Sequence, residues 1–172
     1  MKIKESHILI GVLVLSMAGM GLATYLVANH YQFVDVEFCS INSTFDCKEV
    51  NNGPYSYIDL AGFRLPWSVI GLAGFVAVFA LAYLRLYYPQ IDSNDRFFPL
   101  LVLFSIIGVI FVVYLNYVEL AVIHKICLLC VASHALMIII MILVVWWHFL
   151  GSKKAGDVGE EAEATRAPGD SG

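Results

Sequence analysis

Four stretches of this chain carry no Lys, Arg, Asp or Glu: residues 8–29, 65–84, 97–118 and 126–147, each 20 to 22 residues long. About 20 residues of helix cross the hydrocarbon core of a bilayer. Lipid offers no partner to backbone polar groups, so a segment that crosses it satisfies its own hydrogen bonds as a helix. A buried soluble core would need caps and polar faces that these runs lack. A composition of 60% hydrophobic and 14% charged residues also leaves too little polar surface for a soluble globule. The pattern predicts an all-α membrane protein, a four-transmembrane-helix bundle. The first run follows Lys2 and Lys4, as a signal peptide would, but Tyr25, Leu26 and Val27 carry it past any small-residue cleavage pattern. It is read as a retained span.

Basic residues near the spans set the expected orientation. With four spans both termini share a side, and that side carries Lys2, Lys4, Arg85, Arg96, Lys153 and Lys154. The other side carries Lys48, Arg64 and Lys125. Positive residues mark the cytoplasm. The long loop 30–64 and the short turn 119–125 are therefore expected outside, in a compartment that permits disulfides. Trp67, Trp146 and Trp147 stand where interfacial belts are expected.

A loop as long as 30–64 is usually functional. It is acidic, with Asp35, Glu37, Asp46, Glu49 and Asp59, and Gly53-Pro54 signals a turn. Its apolar second half, 55–63, is expected as a short amphipathic cap over the bundle mouth. The tail 151–172 is Gly-, Ala- and Glu-rich without periodicity and reads as a disordered cytoplasmic end. No thioredoxin-like domain is expected after the fourth span, and nothing points to nucleic acid.

The chemistry lies in four cysteines. Cys39 and Cys47 fall in the loop, while Cys127 and Cys130 open the fourth span. Two residues three apart share a helix face, the second about one turn deeper. A thiol at a helix N-terminus feels the positive end of the dipole, which favours the thiolate. If both pairs face one side, electrons can pass between them by thiol–disulfide exchange. Inert buried cysteines, structural disulfides and a zinc site are the rivals. Zinc fits least well, because Cys39-x7-Cys47 has poor finger spacing, and no metal is expected. His134 continues the stripe, four residues beyond Cys130, with Met137 and Met141 deeper. An ionisable group inside a span points to a functional site. A neutral imidazole there suits a quinone carbonyl, or equally a hydrogen bond to a neighbouring helix. Ser68, Ser105 and Asn116 fit interhelical contacts, and Gly19, Ala23, Gly71 and Gly74 fit close helix approach.

The order of these features resembles the vitamin K epoxide reductase family: a loop pair, the segment Gly62-Phe-Arg-Leu-Pro66-Trp-Ser-Val-Ile-Gly71, then Cys-x-x-Cys opening the fourth span. The likeness covers roughly residues 5–150. The bacterial DsbB group also has four spans and two pairs, but its C-x-x-C comes first. The resemblance implies a four-helix bundle around a quinone of ubiquinone, menaquinone or vitamin K type. Cys39 would exchange with a thioredoxin-like (DsbA-like) thiol protein and Cys47 would pass electrons to Cys127. Cys130 would meet the quinone, with His134, Trp67 and Ser68 beside it. The chain departs from the family at Gly53, where Ser is common, and at His134, where Tyr is usual. Trp67 also replaces a frequent polar residue. Which disulfide the resting protein holds, Cys39–Cys47 or Cys47–Cys127, stays open.

The expected activity is thus a membrane thiol–disulfide oxidoreductase feeding a quinone and supporting disulfide formation outside the cytoplasm. The same relay could serve reduction of vitamin K epoxide or a quinone for another pathway. A sink of higher potential decides direction, with about 30 mV worth a tenfold ratio. The alternative from another class is a four-span structural protein whose loop is stapled by Cys39–Cys47.

Overall fold

A computed structural model describes residues 2–34, 39, 42, 44–60, 62–88 and 97–164. Helix α1 runs Lys2–His30, α2 Cys47–Asn52, α3 Trp67–Tyr87, α4 Phe97–Tyr117 and α5 Leu128–Ala164. Strands β1 (Tyr57–Leu60) and β2 (Phe63–Pro66) form one antiparallel hairpin, with Tyr57 opposite Pro66 and Leu60 opposite Phe63. Four helical segments are long and apolar enough to cross a membrane: Ser6–His30, Trp67–Tyr87, Pro99–Ile123 and Leu128–Trp147. The protein is therefore mostly helical, as hydropathy alone demands. Asp35, Glu37 and Arg96 of the sequence argument, and the last part of the tail, lie outside the described residues.

In the bundle, α1 packs on α3 and α5, and α4 packs on α3 and α5. Its core joins Leu9 and Val12 of α1, Phe75, Val78 and Ala82 of α3, Leu101 and Val112 of α4, and Ile140 and Val144 of α5. Gly19 lets α1 close on α3: a Cβ there would run into the Phe75 ring. Gly108, which the sequence argument passed over, does the same for Met137. Gly71 meets nothing within 4 Å of a built Cβ, so the close approach expected there is absent.

Four local readings change. The apolar half of the loop is a β-hairpin, its turn tied by the Asp59 carboxylate accepting the Gly62 N–H at 3.0 Å. The segment expected as an outside turn from Glu119 is instead a π-helical continuation of α4, Val118–Ile123, closed by His124 in the left-handed region at φ 55°. Apolar Leu120, Ala121, Val122 and Ile123 extend the third span, so one carboxylate does not end it. Beyond Trp147, α5 continues to Ala164 where the sequence predicts disorder from residue 151; Ala, Glu and Lys in 151–164 are good helix formers. Trp147 is buried in the core rather than in an interfacial belt, while Trp146 is exposed.

Candidate active site

The site lies where the loop folds back onto the opening of α5. Residues 44–46 lie alongside Ile126: the Ile126 N–H donates to the Thr44 carbonyl at 2.8 Å, and the Asp46 N–H to the Ile126 carbonyl at 3.2 Å. Phe45 and Ile126 thereby form a parallel bridge. Cys127 directly follows the bridge on one side, and Cys47 follows one residue later, after Asp46, on the other. Asp46 then caps α2 by accepting the Glu49 N–H at 3.0 Å. Lys125 clamps the arrangement, pairing with Glu49 and, at 3.5 Å, with Asp46. The hydrogen bond to Glu49 and the two nearby carboxylates hold its ammonium above the ordinary lysine range.

The far end of α2 is tied to α1. The Asn51 amide donates to the Leu26 carbonyl at 2.8 Å and to Asn29 Oδ1 at 3.0 Å. His30 Nδ1 lies 2.7 Å from the Asn51 carbonyl. Gly53 stops the helix: its N–H donates to the Glu49 carbonyl, and a Cβ would sit 2.5 Å from that oxygen.

Cys39 is bonded to Cys47 and Cys127 to Cys130, with Cα separations of 5.6 and 5.1 Å. Cys39, Cys47 and Cys127 have no exposed surface and share one apolar cluster with Leu26 and Val50, against which Cys130 packs. Cys127 is the cap of α5. Its carbonyl accepts the Val131 N–H at 2.9 Å and its Sγ accepts the Cys130 N–H at 3.2 Å. A sulfur that receives a backbone N–H at a helix N-terminus is well placed to carry negative charge.

Below the cluster lies a cavity of about 390 Å³ between α3, α4 and α5. Cys130, His134, Trp67 and Ser68 all border it, together with Phe104, Phe111 and Met137. His134 is buried, and the Asn116 amide donates to its Nδ1 at 3.0 Å, which leaves the ring proton of the neutral imidazole on Nε2. Asn116 is thus an interhelical contact, as expected, whereas Ser105 bonds only within α4, to the Leu101 carbonyl. Trp67 packs tilted against Phe111 and edge-on to Tyr114, and its indole N–H donates to the Tyr55 carbonyl at 2.9 Å. It forms a wall of the cavity.

Two bordering residues escaped the sequence reading. Ser56, three residues after the Gly53 departure, borders the cavity; its Oγ and that of Ser68 are buried without a hydrogen-bond partner among the described residues. Glu119, 5% exposed, also borders the cavity, and its carboxylate accepts the Cys127 N–H at 3.3 Å.

A family model described as "Vitamin K epoxide reductase family" matches residues 10–145 of the 172. The chain belongs to the vitamin K epoxide reductase family. No curated protein matched it. The family is one of membrane oxidoreductases that work on thiols and quinones. The matched region contains both cysteine pairs and every residue bordering the cavity. The protein is accordingly a multi-pass membrane oxidoreductase of this family.

Proposed function

We propose that the protein oxidises a thioredoxin-like partner outside the cytoplasm and delivers the electron pair to a membrane quinone. The observation that carries this reading is the shared dry cluster: the loop pair and the helix pair meet in it, and Cys130 faces from it onto a cavity.

The steps balance. A partner dithiol reduces Cys39–Cys47 and leaves as a disulfide. Cys47, as thiolate, attacks Cys127; the Cys127–Cys130 bond breaks, and Cys39 closes on Cys47 to release the lower pair as a dithiol. That dithiol returns to the disulfide as two electrons and two protons pass to the quinone. Attack at Cys127 is supported by the buried cluster it shares with Cys47, and departure of Cys130 by the helix N-terminus, which stabilises thiolate.

The cavity suits a quinone head. Its volume falls in the range of small-molecule sites, about 300–1,000 Å³. Its walls are mainly apolar, yet the Ser56 and Ser68 hydroxyls lack partners among the described residues, and a buried hydroxyl without a partner is costly. Those hydroxyls and the His134 Nε2–H are the donors that would hold ring oxygens. Bound quinone supplies the electron sink. The six-to-three bias of basic residues supports termini in the cytoplasm and both pairs outside.

The test uses purified protein in lipid, a reduced thioredoxin-like substrate and a short-tailed ubiquinone or menaquinone, with quinol formation followed optically. Quinol should form in proportion to substrate disulfide. Absence of quinol with either quinone type would reject the reading.

A further inference from the structure

Glu119 is the buried ionisable group that the relay above leaves unused. It stands in the first turn of the π-helical segment, with its main-chain carbonyl accepting the N–H groups of His124 and Lys125. Its carboxylate receives the Cys127 N–H, and the residue also borders the cavity that Cys130 and His134 line. Buried carboxylates are costly unless the site uses or pairs them. One backbone donor at 3.3 Å is thin compensation, and Lys125, the nearest cation in sequence, is engaged with Glu49 and Asp46.

We propose that Glu119 carries protons from the Cys127/Cys130 dithiol to the quinone, an assignment that rests on the quinone-reductase reading. The physical argument is charge. A carboxylate and a thiolate at the same helix N-terminus, in a dry surrounding, repel strongly. A thiol that gives up its proton does so most cheaply when the carboxylate takes it, so the site keeps one negative charge throughout. The dithiol loses two electrons and two protons as its S–S bond forms. The quinone takes both electrons. Glu119 accepts each thiol proton in turn and releases it to a quinol oxygen, ending as it began. His134 stays neutral, holding the ring through Nε2–H while Asn116 fixes its other nitrogen.

Glu119→Gln separates this role from a structural one, because the amide oxygen still accepts the Cys127 N–H. In the full-length protein in lipid, the substitution should lower kcat for short-tailed ubiquinone reduction about 100-fold, the low end of general acid–base contributions. KM for the quinone should change little, and thiol exchange at Cys39–Cys47 should proceed as in wild type. Glu119→Asp, which keeps a carboxyl group, should recover part of the rate. The wild-type solvent isotope effect in D2O should change in Glu119→Gln. A Glu119→Gln protein with wild-type kcat would overturn the assignment. So would equal losses in Glu119→Gln and Glu119→Asp with an unaltered isotope effect, the signature of a packing role. Wild-type protein that reduces no quinone in the same assay would instead reject the parent reading.

Discussion

Of the four cysteines, only Cys130 borders the cavity, while Cys127 sits buried beside the loop pair, so their replacements should fail at different steps. Cys130→Ser should abolish quinone-dependent turnover and leave Cys39 and Cys47 able to exchange with a partner thiol, read by trapping the mixed disulfide. Cys127→Ser should block passage from the loop to the helix pair instead. Wild-type quinone reduction by Cys130→Ser would reverse the assigned order. His134 offers a subtler case. Leu fills a similar volume without the hydrogen bond, so His134→Leu should raise KM for quinone several-fold while thermal stability changes little. His134→Tyr, which restores a donor of the family's usual kind, should keep activity. The stripe Cys127, Cys130, His134 was legible because spacing on a helix is fixed by geometry. Ser56 was not, because nothing in Tyr55-Ser56-Tyr57 says where a loop hydroxyl will point. Glu119 does leave a signal, a lone carboxylate with apolar residues on both sides, but standing one residue past a charge-free run it looks like the start of a turn.

Among the elements, α2 is the part held by the most replaceable forces. Lys125 reaches across from the turn before α5 to Glu49 and Asp46, and such exposed pairs are screened by salt. Lys125→Met should therefore speed reduction of Cys39–Cys47 by a soluble dithiol a few-fold, and added salt should bring wild type towards the variant. Equal rates in the two proteins at low salt would show that the backbone bridge alone holds the loop. The pH sense follows from the raised ammonium. The clamp is fully present below the ordinary lysine value of 10.5 and is lost as pH rises through the higher folded value, so it persists across the neutral range. Elsewhere the contact between α1 and α3 depends on a missing side chain. Gly19→Val should push against Phe75 and destabilise the bundle by about 1–3 kcal/mol, seen as a lower unfolding midpoint. The four long helices were readable from hydropathy, since a charge-free run of that length has few alternatives in lipid. The hairpin was not. Four-residue strands of mixed Tyr, Ile, Asp and Leu give too short a period to tell from a helical cap.

At the scale of the whole molecule, sidedness decides whether the relay can serve proteins outside the cytoplasm. A membrane-impermeant thiol reagent applied to the outer face of intact cells, after brief reduction, should label Cys39 and Cys47. Labelling only from the cytoplasmic face would overturn the orientation inferred from the basic residues. The bundle also places three sulfurs, Cys39, Cys47 and Cys127, where no solvent reaches them. In electrical language the conductor is insulated at these three points. Small diffusible thiols and peroxides find none of these three sulfurs exposed, and leakage to them is slow while the loop is down. Current enters fastest through a docking event large enough to lift α2 from its clamp, which makes the choice of electron donor a matter of protein shape rather than of reduction potential alone.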